Sequence, residues 1–204
     1  MLEPHVPGLA APLFAQVISA LDPEQRITVL DLGNIRSGTV ALFSAYRCRL
    51  DIANLPDVLP LPTIEDNPEV RSQALAGVFE LHDSEPLDLI LCWNLLNYLG
   101  RDDIGHLVAL LEPRMKPATR LHALMEYASP LMPATPGAWV PDGNARLHAS
   151  QVDEEQIDAP RYRPKELERL MPQLMPDRTV LLGNGLQEFL FKPRSPGQDS
   201  AASA

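Results

Sequence analysis

The chain has 204 residues, 45% of them apolar and 22% charged, which is enough for one domain with a sizeable core or one domain plus tails. Its formal net charge of −10 argues against a nucleic-acid or anionic-membrane partner, because a polyanion is repelled except at a local basic patch. The one basic cluster, Arg161, Arg163 and Lys165, is answered in sequence by Glu166 and Glu168.

In chain order, "LAAPLFAQVISAL" (9–21) places Leu13, Phe14, Val17, Ile18 and Leu21 at helical spacing. "ITVLDL" (27–32) is a nearly continuous apolar run, as in a parallel strand buried on both faces. A helix of small and apolar residues is predicted over 37–47. A second strand follows over 48–55, where Cys48, Leu50 and Ile52 alternate. Within 63–81 one helix is predicted, with Asn67 as N-cap and Pro68 at its first position, and "GVFEL" (77–81) is a short strand candidate. "LDLILCW" (87–93) is a central strand, 101–115 an amphipathic helix and 119–128 a strand. A Pro-rich connection follows, with a short strand at "ARLHAS", then a helix over 164–174. The run 178–191 is two apolar strands joined at Gly183-Asn184-Gly185, a hairpin signal.

Strand and helix alternate from residue 27 onward. The fold class is therefore α/β: a single mostly parallel sheet with flanking helices, closed by a C-terminal antiparallel hairpin. Residues 1–24 read as an N-terminal helical extension. Residues 25–192 form the domain, with a Pro-rich insert at 130–160, and 193–204 read as a disordered tail.

Over about residues 25–192 the chain resembles the class I S-adenosylmethionine (SAM)-dependent methyltransferases, whose last strand runs antiparallel beside the sixth. The resemblance is carried by "VLDLG" (29–33), "LDLILCWNLLNYL" (87–99), "LEPRMKPATRLHALM" (111–125) and the terminal hairpin. It implies a SAM cleft at the carboxyl ends of the strands. Its first motif is an acid followed by Gly-x-Gly-x-Gly, whose glycines let the backbone approach the ligand. Asp31 and Gly33 match, but the next two glycine positions hold Ile35 and Ser37, and Gly38 is the nearest stand-in. The ribose position, 21 residues past Gly33, is Asn54, which has one acceptor oxygen where a carboxylate has two. Asp51 lies nearby in the opposite strand phase. The adenine position falls on Asp83, with only four residues between it and Asp88, so the usual third strand or its helix is expected to be missing or collapsed. After the central strand, Asn94, Asn97 and Tyr98 are the candidates for a catalytic role. Amides do not act as general bases near neutral pH, although they can position a substrate.

Other chemistries fit less well. "GNIRSGT" has P-loop glycine spacing, but Thr39 stands where the lysine belongs. His5, His82, His106, His122 and His148 show no metal-ligand spacing, so no metal is expected, and His122 reads as a core histidine. The insert either covers apolar groups of the sheet edge or offers a recognition surface with Trp139 as anchor. Cys48 and Cys92 read as buried free thiols. With no basic start and no apolar run of about 20 residues, the expected location is cytoplasmic, with no membrane span. Three ligand positions thus depart from the family pattern while the scaffold positions keep it. The reading is a methyltransferase-like protein with a degenerate SAM site, non-catalytic and acting on a protein partner. The alternative is an active SAM-dependent methyltransferase on an unknown acceptor.

Overall fold

The computed structural model describes residues 8–61, 68–79, 85–150 and 154–195. A two-residue strand, β1 (Leu9–Ala10), leads into α1 (Pro12–Ser19), which Pro12 starts and which buries Leu13, Phe14, Val17 and Ile18. β2 (Ile27–Asp31), α2 (Ser37–Phe43), β3 (Cys48–Ile52), α3 (Pro68–Gly77) and β4 (Leu87–Trp93) follow. A single 3-10 turn over Leu95–Tyr98 separates β4 from α4 (Arg101–Leu111), and β5 (Met115–Glu126) comes next. The Pro-rich stretch holds four short strands: β6 (Leu131–Pro133), β7 (Ala138–Pro141), β8 (Arg146–Ser150) and β9 (Gln156–Asp158). The chain then runs through α5 (Pro164–Leu170), β10 (Leu174–Leu181) and β11 (Leu186–Pro193).

Six strands form the main sheet in the order β10-β11-β5-β4-β2-β3. The half from β3 to β5 is parallel, whereas β11 is antiparallel to β5 and β10 antiparallel to β11. The sheet is therefore mixed: parallel where helices cross over, antiparallel where a hairpin closes it. The last strand lies between β5 and β10, as the family resemblance implied. All five residues of β2 are buried because it has a strand on each side and a layer of side chains on each face. At the hairpin tip, Gly185 adopts φ +88° and follows a turn closed by Gly185 N donating to Leu182 O at 3.0 Å. This three-residue connection with a left-handed last position is what Gly183-Asn184-Gly185 predicts.

Two apolar layers flank the sheet. One joins α3, α4 and α5 to the sheet through Leu75, Ile104, Leu107, Leu167 and their neighbours. The other joins α1 and α2 through Phe14, Val17 and Phe43. α1, set apart by sequence as an extension, is thus part of the second layer. Buried Glu188 of β11 accepts from Leu13 N (3.0 Å) and Phe14 N (2.7 Å), two N–H groups that the first helical turn leaves without a partner. His122 also lies against Glu188, Nε2 to Oε1 at 2.9 Å, with both side chains fully buried.

Several expectations need correcting. The helix read over 37–47 ends at Phe43, that over 101–115 at Leu111 and that over 164–174 at Leu170; β5 starts at Met115 rather than 119. The 48–55 strand stops at Ile52, and a 3-10 turn takes Leu55–Val58. Gly77 closes α3 and residues 78–79 form a turn, so the "GVFEL" strand is absent from 77–79, while its last two residues lie outside the described residues. Asn67 also lies outside them. Cys92 is fully buried, whereas Cys48 is only partly so; both thiols are free. No helix among the described residues is long and apolar enough to cross a membrane.

Candidate functional site

Asp31, Gly33 and Trp93 meet where β2 and β4 end. Asp31 is 1% exposed, and its Oδ1 accepts both the Gly33 backbone N–H (2.8 Å) and the Trp93 indole N–H (2.6 Å). Burial pushes the Asp31 carboxyl up to about 6, and the two N–H donors hold it from going higher. Trp93 pays for its place with backbone strain: φ is +49°, in the left-handed region that bulky residues avoid, at a register shift in the β4–β5 pairing. The ring is 3% exposed and packs against Phe14 with centroids 5.8 Å apart. A Cβ added at Gly33 would stand 3.0 Å from Trp93 Cδ1, so the indole lies directly against this glycine. The sequence reading missed Trp93. The available signal was a bulky aromatic as the last residue of a central strand, immediately before the candidate Asn94.

The insert closes the same place from outside. Pro136, Gly137, Ala138 and Trp139 join Gly33 and Trp93 around a cavity of about 20 Å³. Gly38, the expected stand-in glycine, faces β7: a Cβ there would come within 2.4 Å of Val140 Cγ1 and 2.5 Å of Pro141 O. The structure thus gives Gly38 a packing reason. Ile35, at the second glycine position, is 63% exposed and points out to solvent instead of filling the cleft. Leu95 is 1% exposed and lines the cavity. A space of this size holds about one water, whereas ligand pockets run to roughly 300–1,000 Å³. The space beside Gly33 is smaller than such a pocket.

Asn54 lies beside Gly33, with its backbone N–H donating to Gly33 O at 3.2 Å. It adopts a left-handed conformation (φ +51°), which Asn tolerates, and its side chain is exposed. Asp51 points the other way and is held by Arg49 (2.9 Å) and Arg114 (2.8 Å), whose hydrogen bonds and charge outweigh its burial and keep its carboxyl below the usual range. Asp83 and His82 lie outside the described residues.

Asn94, Asn97 and Tyr98 come together at the turn after β4, and two of them are tied into the scaffold. Asn97 Nδ2 donates to Asn94 O (3.0 Å), and its Oδ1 accepts from Glu126 N (3.1 Å), which fastens the turn to the end of β5. The Tyr98 hydroxyl donates to Thr135 O (3.1 Å) and so anchors the insert. Asn94 is 8% exposed, and its Oδ1 has no hydrogen-bond partner. No group of three or more His, Cys, Asp or Glu suited to a metal occurs among the described residues. Burial raises the Cys48 thiol to about 11 and the Cys92 thiol to about 12, so neither is a ready nucleophile near neutral pH.

No protein-family model matches the chain, and no curated protein does. Solved structures do match. An S-adenosylmethionine-dependent methyltransferase from Clostridium acetobutylicum ATCC 824 superposes with a TM-score of 0.53 at 12% identity, covering 92% of this chain and 93% of that one. The 1,6-didemethyltoxoflavin-N1-methyltransferase of Burkholderia thailandensis, solved with 1,6-didemethyltoxoflavin and S-adenosylhomocysteine bound, gives 0.51 at 16% identity, covering 90% and 78%. The PH0226 protein of Pyrococcus horikoshii OT3 gives 0.51 at 11%, covering 90% and 88%. At such identities what is shared is the arrangement of the chain, and that arrangement is the class I SAM-dependent methyltransferase-like fold.

Proposed function

We propose that this chain is a methyltransferase-like protein with a degenerate SAM cleft, that it does not transfer methyl groups, and that it acts through a protein partner. The observation that carries the first part is the filled space at Gly33: Trp93 from inside and β7 from outside leave a cavity of about 20 Å³. Gly38 is committed to the insert, and Asn97 and Tyr98 to holding the turn and the insert. The ribose position carries an amide, and losing a charge-assisted bond there costs on the order of 1–3 kcal/mol. Support for a partner comes from the β6–β9 ribbon, where Leu131 and Ile157 are 42% and 40% exposed.

One observation favours the alternative of an active methyltransferase. Ile35 is turned outward, and Asn54 stands beside Gly33, so Ile35 itself leaves room at the loop, which Trp93, Leu95 and the insert border.

Calorimetric titration with SAM and S-adenosylhomocysteine tests the reading on the native protein and on Asn54→Asp. The expected outcome is no binding by either, because volume and not the ribose contact is limiting. Micromolar binding by the native protein would overturn the proposal in favour of the active enzyme. Binding by Asn54→Asp alone would show that the amide, and not Trp93, disables the site.

A further inference from the structure

The basic cluster expected to be neutralised in sequence is not neutralised in space. Glu166 is taken by Arg101, whose Nε donates to its Oε1 at 2.7 Å. Arg161 and Arg163 have no carboxylate partner among the described residues, while Arg26, Arg49, Arg71, Arg101 and Arg114 are all ion-paired. The two guanidinium groups are two residues apart in a chain of net charge −10.

The reason for their orientation is local. Tyr162 points inward, 8% exposed, with its hydroxyl donating to Leu99 O at 2.6 Å, and the backbone at Arg163 is extended (φ −76°, ψ 149°). Alternation then sends Arg161 and Arg163 out on the same side. There they line a cavity of about 590 Å³ with Tyr127, Pro164 and Glu126, at the carboxyl end of β5 and apart from the space at Gly33. Glu126 is half-buried and the two arginines are exposed, so one pocket brings together a partly desolvated carboxyl and two solvated positive charges. Burial raises the Glu126 carboxyl above its usual range, so it pairs well with a donor. Tyr127 is 54% exposed and offers a stacking face. The volume lies within the roughly 300–1,000 Å³ of small-molecule pockets.

We propose that this pocket binds a small aromatic carboxylate bearing a hydroxyl or amino group at its far end. Its carboxylate lies on Arg161 and Arg163, its ring on Tyr127, and its donor on Glu126. Guanidinium groups suit a planar carboxylate because they present paired N–H donors. The site is separate from the SAM cleft and stands whether or not that cleft takes SAM.

The test is titration of the native protein by calorimetry with 4-hydroxybenzoate, benzoate and phenol at low ionic strength. Expected is saturable 4-hydroxybenzoate binding, weaker for benzoate and at least about tenfold weaker for phenol, and weakened by added salt. The Arg161→Ala/Arg163→Ala double variant should lose about tenfold or more, a loss typical of removing charge-assisted bonds. Both side chains are exposed, so an unchanged circular dichroism spectrum and melting temperature separate this loss from misfolding. Glu126→Gln should reduce the preference for 4-hydroxybenzoate over benzoate. Absence of 4-hydroxybenzoate binding, equal binding of phenol, or an unaffected double variant would each overturn the proposal. SAM titration reads the other cleft, so failure here and failure of the degenerate-cleft reading are separate results.

Discussion

Asp31 connects the end of β2 to the Trp93 side chain that lies against Gly33. Its carboxyl is raised from 3.8 to about 6 by burial, so the folded state holds the proton more tightly than the unfolded one. Stability from this group is full below the unfolded pKa and lost as pH rises through about 6. Asp31→Asn removes the ionisation and keeps an Oδ1 for both the Gly33 and Trp93 donors. The variant is expected to be more stable than the native protein at pH 7.5, by up to about 3 kcal/mol, with the gain fading by pH 4. Urea denaturation at the two pH values measures this; an equal difference at both would show that Asp31 does not titrate in this window.

At the scale of elements, the contact between α2 and β7 decides how the insert sits. Gly38→Ala improves helix propensity by up to about 1 kcal/mol. Against that, the new Cβ meets Val140 Cγ1, which can move, and Pro141 O, which is backbone and cannot move alone. The clash should win, with a net loss of about 1–3 kcal/mol and faster proteolysis in the β7–β8 hairpin. Adding Val140→Ala should recover only part of the loss. Thermal melts and limited proteolysis read both effects, and a Gly38→Ala protein more stable than the native one would mean that the hairpin is free to shift. The hairpin also explains what sequence could not place. β8 was legible in "ARLHAS", but its partners are β7, which reads as a Pro-rich connection, and β1, more than 130 residues away. Two-residue and four-residue strands carry too little periodicity to recognise, and only pairing defines them.

Across the whole molecule, the burial of β2, β4 and β5 between two apolar layers makes the main sheet the expected stable unit. The β1-β8-β7 and β6-β9 sheets lie outside it. Amide hydrogen exchange should be slowest in those three strands and faster in both small sheets, because local opening needs less apolar surface to be exposed there. Exchange in β7–β8 as slow as in β4 would make the insert part of the same cooperative unit, and the cleft correspondingly harder to open.

The sequence by itself determined the α/β class and the closing hairpin. Each depends on local spacing: apolar runs of strand length, and Gly-Asn-Gly at a turn. Only the tertiary structure decided which side chains lie beside Gly33. Ile35, suspect by residue type, turns to solvent, while Trp93 packs against Gly33 through a left-handed backbone and a bond to Asp31 62 residues away. In the same way Glu166, near in sequence to Arg161 and Arg163, is claimed by Arg101 from another helix. Side-chain direction and charge pairing are set by neighbours distant along the chain, and spacing alone does not encode them.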